Sequence, residues 1–271
     1  MKTSCVILLT AIFLLSGTVS MVVAQPQQRT LRIGVVFDGP WERNKDLLDL
    51  LKKEISDALE GQTRVVFSDG KTLEGDWSYP GSVRLNSQLL ADKDVDLVVG
   101  FGVLTSQDLC SRSSLSKPVI APIIVDPVRQ HLPLRAGASG TMNLNYLVFP
   151  QTFLRDYALL QELAPFKKLV FLTSKRYHEG IPATRASDEE ISKLVGTAFV
   201  TVRFDERADQ ALSAIPQDAD AVYLDIVPLP SREFDKLVKG LIERRLPSFS
   251  MLGESEVRHG VMAAANPDIF P

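Results

Sequence analysis

The fold of the chain is first indicated by the stretch Leu31-Arg32-Ile33-Gly34-Val35-Val36-Phe37. Its branched and aromatic side chains predict a buried β-strand. The segment that follows carries apolar residues at helical spacing, which predicts an amphipathic helix with one buried face. The residues of that face are Leu47, Leu48, Leu51, Ile55 and Leu59. A strand followed by such a helix is the first half of a βαβ unit, from which parallel sheets are built.

The same alternation of strands and helices runs to the end of the chain and falls into two sets. The first set has strands predicted at residues 31–37, 63–68, 95–100 and 118–125, and the second at 168–173, 199–204, 221–227, 247–252 and 261–265. We therefore predict an α/β fold of two doubly wound parallel-sheet lobes with a cleft between them. The predicted N-terminal lobe covers residues 25–142, a hinge crossing covers 143–150, and the C-terminal lobe covers 151–271.

Composition and charge narrow the function classes. The 271 residues are 45% hydrophobic and 23% charged, which suits a globular protein with a sizeable core and excludes collagen-like and disordered chains. The formal net charge is −3, from 30 basic and 33 acidic side chains. A nucleic-acid-binding protein would carry a basic face, so we expect no nucleic acid as a partner.

The N-terminus has the pattern of a secretory signal peptide. Lys2 precedes an uncharged apolar run, and small residues lead to Ala24, after which we expect cleavage before Gln25. The alternative is an uncleaved membrane anchor, but the apolar run is about ten residues and a span needs about 20. Residues 1–24 are therefore predicted to be cleaved off when the protein is exported to the periplasm. Cys5 leaves with them, and the remaining Cys110 is expected to be a buried core thiol.

The loops at the carboxyl ends of the predicted strands are where a ligand of such a fold binds. Asp38, Gly39 and Trp41 follow the first strand, and an aromatic ring beside a polar group suits a small-molecule pocket. The alternative for Asp38-Gly39-Pro40 is a tight turn without a ligand. The remaining candidates in these loops are Gly100, Phe101, Gly102, Thr105, Asp126, Ser174, Asp225 and Glu254. Capping of helices and turns competes with ligand contact for each of them.

Signatures of enzymes are missing from the sequence. The chain has neither a phosphate-binding Gly-x-x-x-x-Gly-Lys-Ser/Thr loop nor a zinc-binding His-Glu-x-x-His helix. Gly137-Ala138-Ser139-Gly140 does not fit the nucleophile elbow of hydrolases, and His131, His178 and His259 lie far apart. We expect no catalytic residues, no metal and no cofactor.

The order of several segments resembles a known family. The segments are residues 31–36, 98–102, 117–121, 143–146, 221–224, 246–250 and 260–264, behind a signal peptide. Together they resemble the ABC-transporter substrate-binding proteins of the type I periplasmic binding fold, and most of all the tryptophan- and tyrosine-binding-like group. Some relatives of that group are encoded beside RND or outer-membrane efflux systems.

The resemblance implies a protein that captures a small organic ligand between two lobes and delivers it to a membrane permease. It also places Tyr146 in a cleft-lining loop, together with the candidates named above. One alternative is a ligand-binding module of an efflux or lipid-transfer complex, and another is a periplasmic sensor. Gene neighbours would separate uptake from export.

The resemblance also implies a difference at the C-terminus. Members of the family usually continue past the segment that matches residues 263–268 with a helix that completes the first lobe, whereas this sequence stops at Pro271. The expectation is either a C-terminally truncated chain or a first sheet that is closed differently. For a truncated chain we expect an unpaired sheet edge with exposed apolar side chains.

Overall fold

The structure is a computed structural model that describes residues 29–128, 130–135, 137–148, 153–181 and 187–265. The predicted signal peptide lies outside the described residues, as do residues 149–152 of the segment around the predicted crossing. Within the described ranges, none of the helices is long and apolar enough to cross a bilayer.

The first five strands form one parallel sheet in the order β2-β1-β3-β4-β5. Side chains of α1 pack on one face of this sheet, and side chains of α2 and α3 pack on the other. The elements are β1 (Arg29–Phe37), α1 (Asn44–Ala58), β2 (Thr63–Glu74), α2 (Tyr79–Ala91), β3 (Leu97–Phe101), α3 (Val103–Ser111), β4 (Val119–Ile124) and β5 (Leu144–Val148).

The second five strands form another parallel sheet, in the order β10-β9-β8-β6-β7. Read from β7, this order is the same as that of the first sheet read from β2. The elements are α4 (Phe153–Leu163), β6 (Lys168–Ser174), α5 (Lys175–Gly180), α6 (Asp188–Val195), β7 (Ala198–Phe204), α7 (Ala208–Ala214), β8 (Ala221–Leu224), α8 (Ser231–Glu243), β9 (Ser248–Ser250), α9 (Glu254–Arg258) and β10 (Ala263–Ala264).

The predicted fold class, two α/β lobes with parallel sheets, is confirmed. The exact limits of the lobes stay a prediction, but the structure assigns part of the predicted crossing: β5 is hydrogen-bonded to β4 as the edge strand of the first sheet. Leu147 and Val148 on this edge are exposed.

Strand β2 is longer than its sequence pattern predicts. The prediction ends this strand at residue 68, before Asp69-Gly70. In the structure Gly70 has a φ of +74°, and the register against β1 shifts between Ile33 and Val35. The dipeptide therefore forms a bulge inside the strand, which continues to Glu74. As a result the loop after β2 begins at residue 75.

Both lobes have their own apolar cores. In the second lobe, side chains from α7 and α8 pack on one face of the sheet, while Phe153, Tyr157 and Leu160 of α4 pack on the other. The predicted core thiol, Cys110, is confirmed: it is buried with the side chains between α2, α3 and the first sheet. Burial raises the pKa of this thiol to about 12, so it stays protonated.

Candidate binding cleft between the lobes

The loops at the carboxyl ends of both sheets meet in one apolar cluster, which we call the interlobe cluster. Its first-lobe members follow or end β2, β3 and β4, and its second-lobe members follow β6, β8 and β9. They are Trp77, Tyr79, Val103, Leu104, Ile123 and Val125 from the first lobe, and Tyr177, Ile181, Ile226, Met251 and Leu252 from the second. Since the strand ends of both lobes point into this space, it is the candidate site.

Asp38 lies at the end of β1 and is buried against the start of α3. The amide groups of Leu104 and Thr105 donate to its two carboxylate oxygens at 2.9 and 2.8 Å. Burial raises the pKa of Asp38, and these amide bonds oppose that shift. A Cβ at Gly102 would overlap the same carboxylate, so this position needs a glycine. The Asp38 side chain thus caps α3. Helix capping is the structural alternative to ligand contact that the sequence analysis left open.

Trp77 is held over the β1 loop in an unusual backbone conformation. Its φ is +58°, a region that costs free energy for a bulky side chain and that is enriched at functional sites. The Trp77 amide donates to the Asp38 carbonyl at 2.8 Å, and the indole ring covers Gly39 so closely that a Cβ there would overlap it. The ring itself remains half-buried in the interlobe cluster.

The loop that carries Trp41 is fixed by hydrogen bonds. The side-chain amide of Asn44 donates to the carbonyl of Gly39 at 2.9 Å and to Glu74 at 2.7 Å. Trp41 is half-buried, and the guanidinium of Arg43 lies 5.7 Å from its ring centroid. The predicted contact of Trp41 with a ligand stays a prediction.

Three further candidates of the first lobe support its structure. The Phe101 ring packs 5.6 Å from the Phe37 ring, and a Cβ at Gly100 would lie 2.5 Å from Leu109 Cδ1. Thr105 is buried, and its hydroxyl donates to the Gly102 carbonyl at 3.2 Å. Glycine at residue 100 is therefore explained by packing against α3.

Asp126 and Tyr146 make local contacts within the first lobe. The Asp126 carboxylate accepts the Val128 amide at 3.0 Å, as in an Asx turn. Tyr146 packs against the core between α3 and the sheet, and its hydroxyl donates to the Pro133 carbonyl at 3.0 Å. This bond uses the polar end of the Tyr146 side chain inside the lobe.

On the second lobe, Ser174 and Asp225 lie at neighbouring strand ends. Ser174 is buried and accepts the Tyr177 amide at 3.5 Å as the N-cap of α5. The half-buried Asp225 accepts the Thr173 hydroxyl at 2.8 Å. Burial raises the pKa of Asp225 to about 6, against the opposing hydrogen bonds from Thr173 and the Ile226 amide. This carboxyl therefore changes its charge near neutral pH.

Helix α9 carries two glutamates with opposite environments. Glu254, the predicted candidate, is exposed and forms an ion pair with Arg258 at 2.9 Å. Glu256 is buried and bonded to the Ser250 hydroxyl. Burial raises the pKa of Glu256 to about 7, helped by the negative charges of Asp225 and of Glu42 from the first lobe. Glu256 was not predicted as a site residue, since the sequence does not show which side of a five-residue helix faces the cleft.

The structure thus adds several residues to the predicted rims. Trp77 and Tyr79 were missed because the end of β2 was placed too early, and Tyr177 because α5 is too short to show helical periodicity. A Ser three residues before the Tyr177 amide is the capping signal that marks α5. Among the described residues no group of three or more His, Cys, Asp or Glu is arranged to hold a metal ion.

A second concave surface lies away from the interlobe cluster. It has a volume of about 510 Å³ and is lined by Phe166, Lys167, Ser192, Lys193 and Thr197, among others. These residues lie near the start of β6 and β7 or on α6. Lys193 is paired there with Glu189 at 2.7 Å. Because this surface is at the amino ends of the strands, it is the less favourable place for a ligand of this fold.

Comparison with known proteins identifies the fold. No protein-family model matches the sequence, and no curated protein matches it. Solved structures do match: an ABC domain from Streptococcus pneumoniae in complex with L-Trp has a TM-score of 0.64 and 21% sequence identity, over 86% of this chain and 79% of that chain. A type 1 periplasmic binding protein from Bordetella pertussis has a TM-score of 0.57 and 15% identity, over 85% of this chain and 65% of the other.

An ABC transporter solute-binding protein from Agrobacterium vitis, bound to alpha-D-tagatopyranose, is also similar. Its TM-score is 0.56 and its identity 15%, over 86% of this chain and 82% of that chain. The predicted resemblance is therefore confirmed at the level of the fold, which is that of type I periplasmic binding proteins. Two of these structural neighbours hold a small molecule, L-Trp or alpha-D-tagatopyranose.

Proposed function

We propose that this protein is a non-enzymatic, periplasmic solute-binding protein that takes a small organic ligand between its lobes and delivers it to a membrane transporter. One observation carries the proposal: strand-end loops of both lobes meet at the interlobe cluster, with Asp225 and Glu256 beside it. The similar structures that hold L-Trp or a tagatopyranose support it. In a fold of this kind, such a place serves for binding.

The chemistry of the cleft suggests the class of ligand. Trp77 and Tyr79 are half-buried and offer aromatic surface, which favours a ligand with an apolar or aromatic part. Asp225 and Glu256 offer carboxyl groups that suit an amine or a hydroxyl group on the ligand. A cationic amine would lower the raised pKa values of both carboxyl groups and so favour their ionised form. The ionised carboxylates would then hold the amine by charge-assisted hydrogen bonds. An aromatic amine is thus the first ligand to test.

Closure of the lobes would couple binding to transport. A ligand that touches both rims binds the closed form better than the open form and shifts the population toward it. Changing that ratio from 1:99 to 99:1 takes about 5.5 kcal/mol of preferential binding, which a few desolvated hydrogen bonds and one stacked ring can supply. The transporter would then recognise the closed form.

The test begins with native mass spectrometry of protein purified from its own periplasm, to find a small molecule that copurifies. Titration calorimetry with L-tryptophan and with tagatose follows, on the protein freed of that molecule. For an amine ligand we expect Asp225→Asn to weaken binding about tenfold or more, since it removes a charge-assisted hydrogen bond. The matched control is Asp218→Asn, because Asp218 is exposed and paired with Lys168 at the start of β6.

The outcomes separate the parts of the proposal. Binding that is lost equally in both variants would contradict the assignment of the ligand to the cleft. Turnover of a bound molecule would contradict the non-enzymatic function. Export is tested by N-terminal sequencing of the periplasmic protein, which we expect to begin at Gln25.

A further inference from the structure

Helix α5 joins the two lobes directly. It belongs to the second lobe, where it follows β6 without a gap and is capped by Ser174. Its side chain Tyr177 and the adjoining Ile181 are only 6% and 3% exposed, and they pack with Leu104 at the start of α3 in the first lobe. The end of this short helix of the second lobe is therefore buried in a cluster that includes side chains of the first lobe.

The two lobes come close together at Gly180, the last residue of α5. A Cβ added there would lie 2.6 Å from Leu104 Cδ2 and 3.0 Å from Tyr79 Cβ. A Cβ at residue 180 would displace the flexible end of Leu104 and lie in tight contact with Tyr79, so the two lobes come very near each other at this residue. Tyr79 and Leu104 come from α2 and α3, so a single residue of α5 touches both helices.

Charged groups of both lobes act on the Tyr177 hydroxyl at this contact. The Tyr177 hydroxyl has its pKa raised well above 10.0 by burial and by the negative charges of Asp225 in its own lobe and Asp38 in the first. The hydroxyl therefore remains protonated at all physiological pH values. Tyr177 is thus an uncharged side chain, and its burial carries no free-energy cost for desolvating an ionised group.

We propose that α5 is an interlobe latch, in which the contact of Tyr177, Gly180 and Ile181 with Tyr79 and Leu104 holds the lobes together through the side chains of the chain itself. The latch goes beyond the proposed function, since it sets the separation of the lobes independently of any solute. A ligand that needs wider access must then work against it, and weakening the latch opens the cleft.

The first test compares two leucines of α3 by small-angle X-ray scattering of the purified protein without added ligand. Leu104 and Leu109 are both fully buried, but Leu104 faces α5 whereas Leu109 packs inside the first lobe. We expect Leu104→Ala to increase the radius of gyration, and Leu109→Ala to leave it at the wild-type value while it lowers the stability of the lobe. Circular dichroism confirms that each variant is folded.

The second test captures the latch covalently. Disulfides need Cβ atoms about 3.5 to 4.5 Å apart, so the Tyr79 and Gly180 positions are within reach after a small adjustment. We expect the double variant Tyr79→Cys, Gly180→Cys to form an intramolecular disulfide in most molecules under mild oxidation. The two single variants are the controls, because Cys110 is buried and has a raised pKa.

Two results would overturn the latch. One is a Leu104→Ala variant that stays as compact as Leu109→Ala. The other is a double-cysteine variant whose two new thiols remain free. Both tests omit the solute, so they separate a failure of the latch from a failure of the proposed function.

Discussion

The two lobes have the same strand order but treat the carboxyl groups at their rims differently. In the first lobe Asp38 accepts two amide groups of α3 through its side chain and the Trp77 amide through its carbonyl. In the second lobe the Asp225 side chain accepts the Thr173 hydroxyl and the Ile226 amide, and the Glu256 side chain is bonded to the Ser250 hydroxyl. The Asp38 side chain of the first rim thus stabilises its own lobe. The carboxyl groups of Asp225 and Glu256 on the second rim have fewer partners and are the candidates for contact with a ligand.

This difference assigns separate tasks to the two halves of the cleft. A carboxylate that is fixed by two amide groups has little capacity left for a ligand. A carboxyl group with a pKa of about 6 or 7 gains much from a cationic or hydrogen-bonding ligand. We therefore expect the first lobe to supply a rigid aromatic wall and the second lobe to supply the polar contacts.

The largest effect is expected for Asp38→Ala. The change leaves the buried amides of Leu104 and Thr105 without acceptors, which costs about 3 kcal/mol of unfolding free energy. Urea unfolding measures the loss, and hydrogen exchange should show it at the start of α3. Asp49→Ala is the control, because Asp49 is exposed and forms a surface ion pair with Lys45. Equal losses in the two variants would refute the structural use of Asp38.

An effect of up to about 3 kcal/mol at pH 8 is expected for Glu256→Gln, because each unit by which the pKa is raised corresponds to about 1.4 kcal/mol. The pKa of Glu256 is raised from 4.5 to about 7, so the folded protein keeps a proton that the unfolded chain loses. The wild-type stability contributed by this group therefore falls as the pH rises from about 4.5 to 7. Glutamine stays neutral, so the variant should be more stable than wild type at pH 8 but not at pH 4.

The measurement is a series of thermal unfolding curves between pH 4 and 8. Glu243→Gln serves as the control, since Glu243 is exposed on α8 and lies 3.8 Å from Lys239. If Glu256→Gln and wild type lose stability in parallel over this pH range, the second rim has no available acid and the comparison between the lobes fails.

Tyr146→Phe should cost about 1 kcal/mol, because it removes the hydrogen bond from the hydroxyl to the Pro133 carbonyl. Its counterpart in the second lobe is Tyr157→Phe, which removes the bonds to the Val195 carbonyl at 3.1 Å and to the Thr197 hydroxyl at 2.9 Å and should cost somewhat more. Chemical unfolding of both variants compares the two lobes. Unchanged stability of Tyr146→Phe would contradict a structural use of this hydrogen bond.

The sequence was informative about where several of the strands end, although it placed the end of β2 too early. Asp38, Gly100, Ser174 and Asp225 were all predicted at carboxyl ends of strands, and the structure places them there. Short branched runs give this information because each buried strand needs only its own residues to be recognised. Two parallel sheets followed from the repetition of the pattern.

The sequence could not show which of these residues stabilise their own lobe and which are available to a ligand. Asp38 and Asp225 both stand shortly before a proline at a strand end, yet Asp38 finds its amide partners 66 and 67 residues further along the chain. Glu254 and Glu256 are two residues apart, and only the packing of α9 buries one of them. Such partners are set by tertiary contacts that local patterns do not contain.

The smallest effect is expected for Glu254→Ala, which sharpens the contrast between the two glutamates of α9. The ion pair between Glu254 and Arg258 is on the surface, with side chains 69% and 66% exposed. Losing an exposed pair of this spacing costs about 0.3 to 0.5 kcal/mol, and high salt should remove the difference. Unfolding in low salt and in 1 M salt measures it. A loss as large as that expected for Asp38→Ala, unaffected by salt, would mean that Glu254 is buried when the lobes meet, and the second rim would then have three enclosed acids.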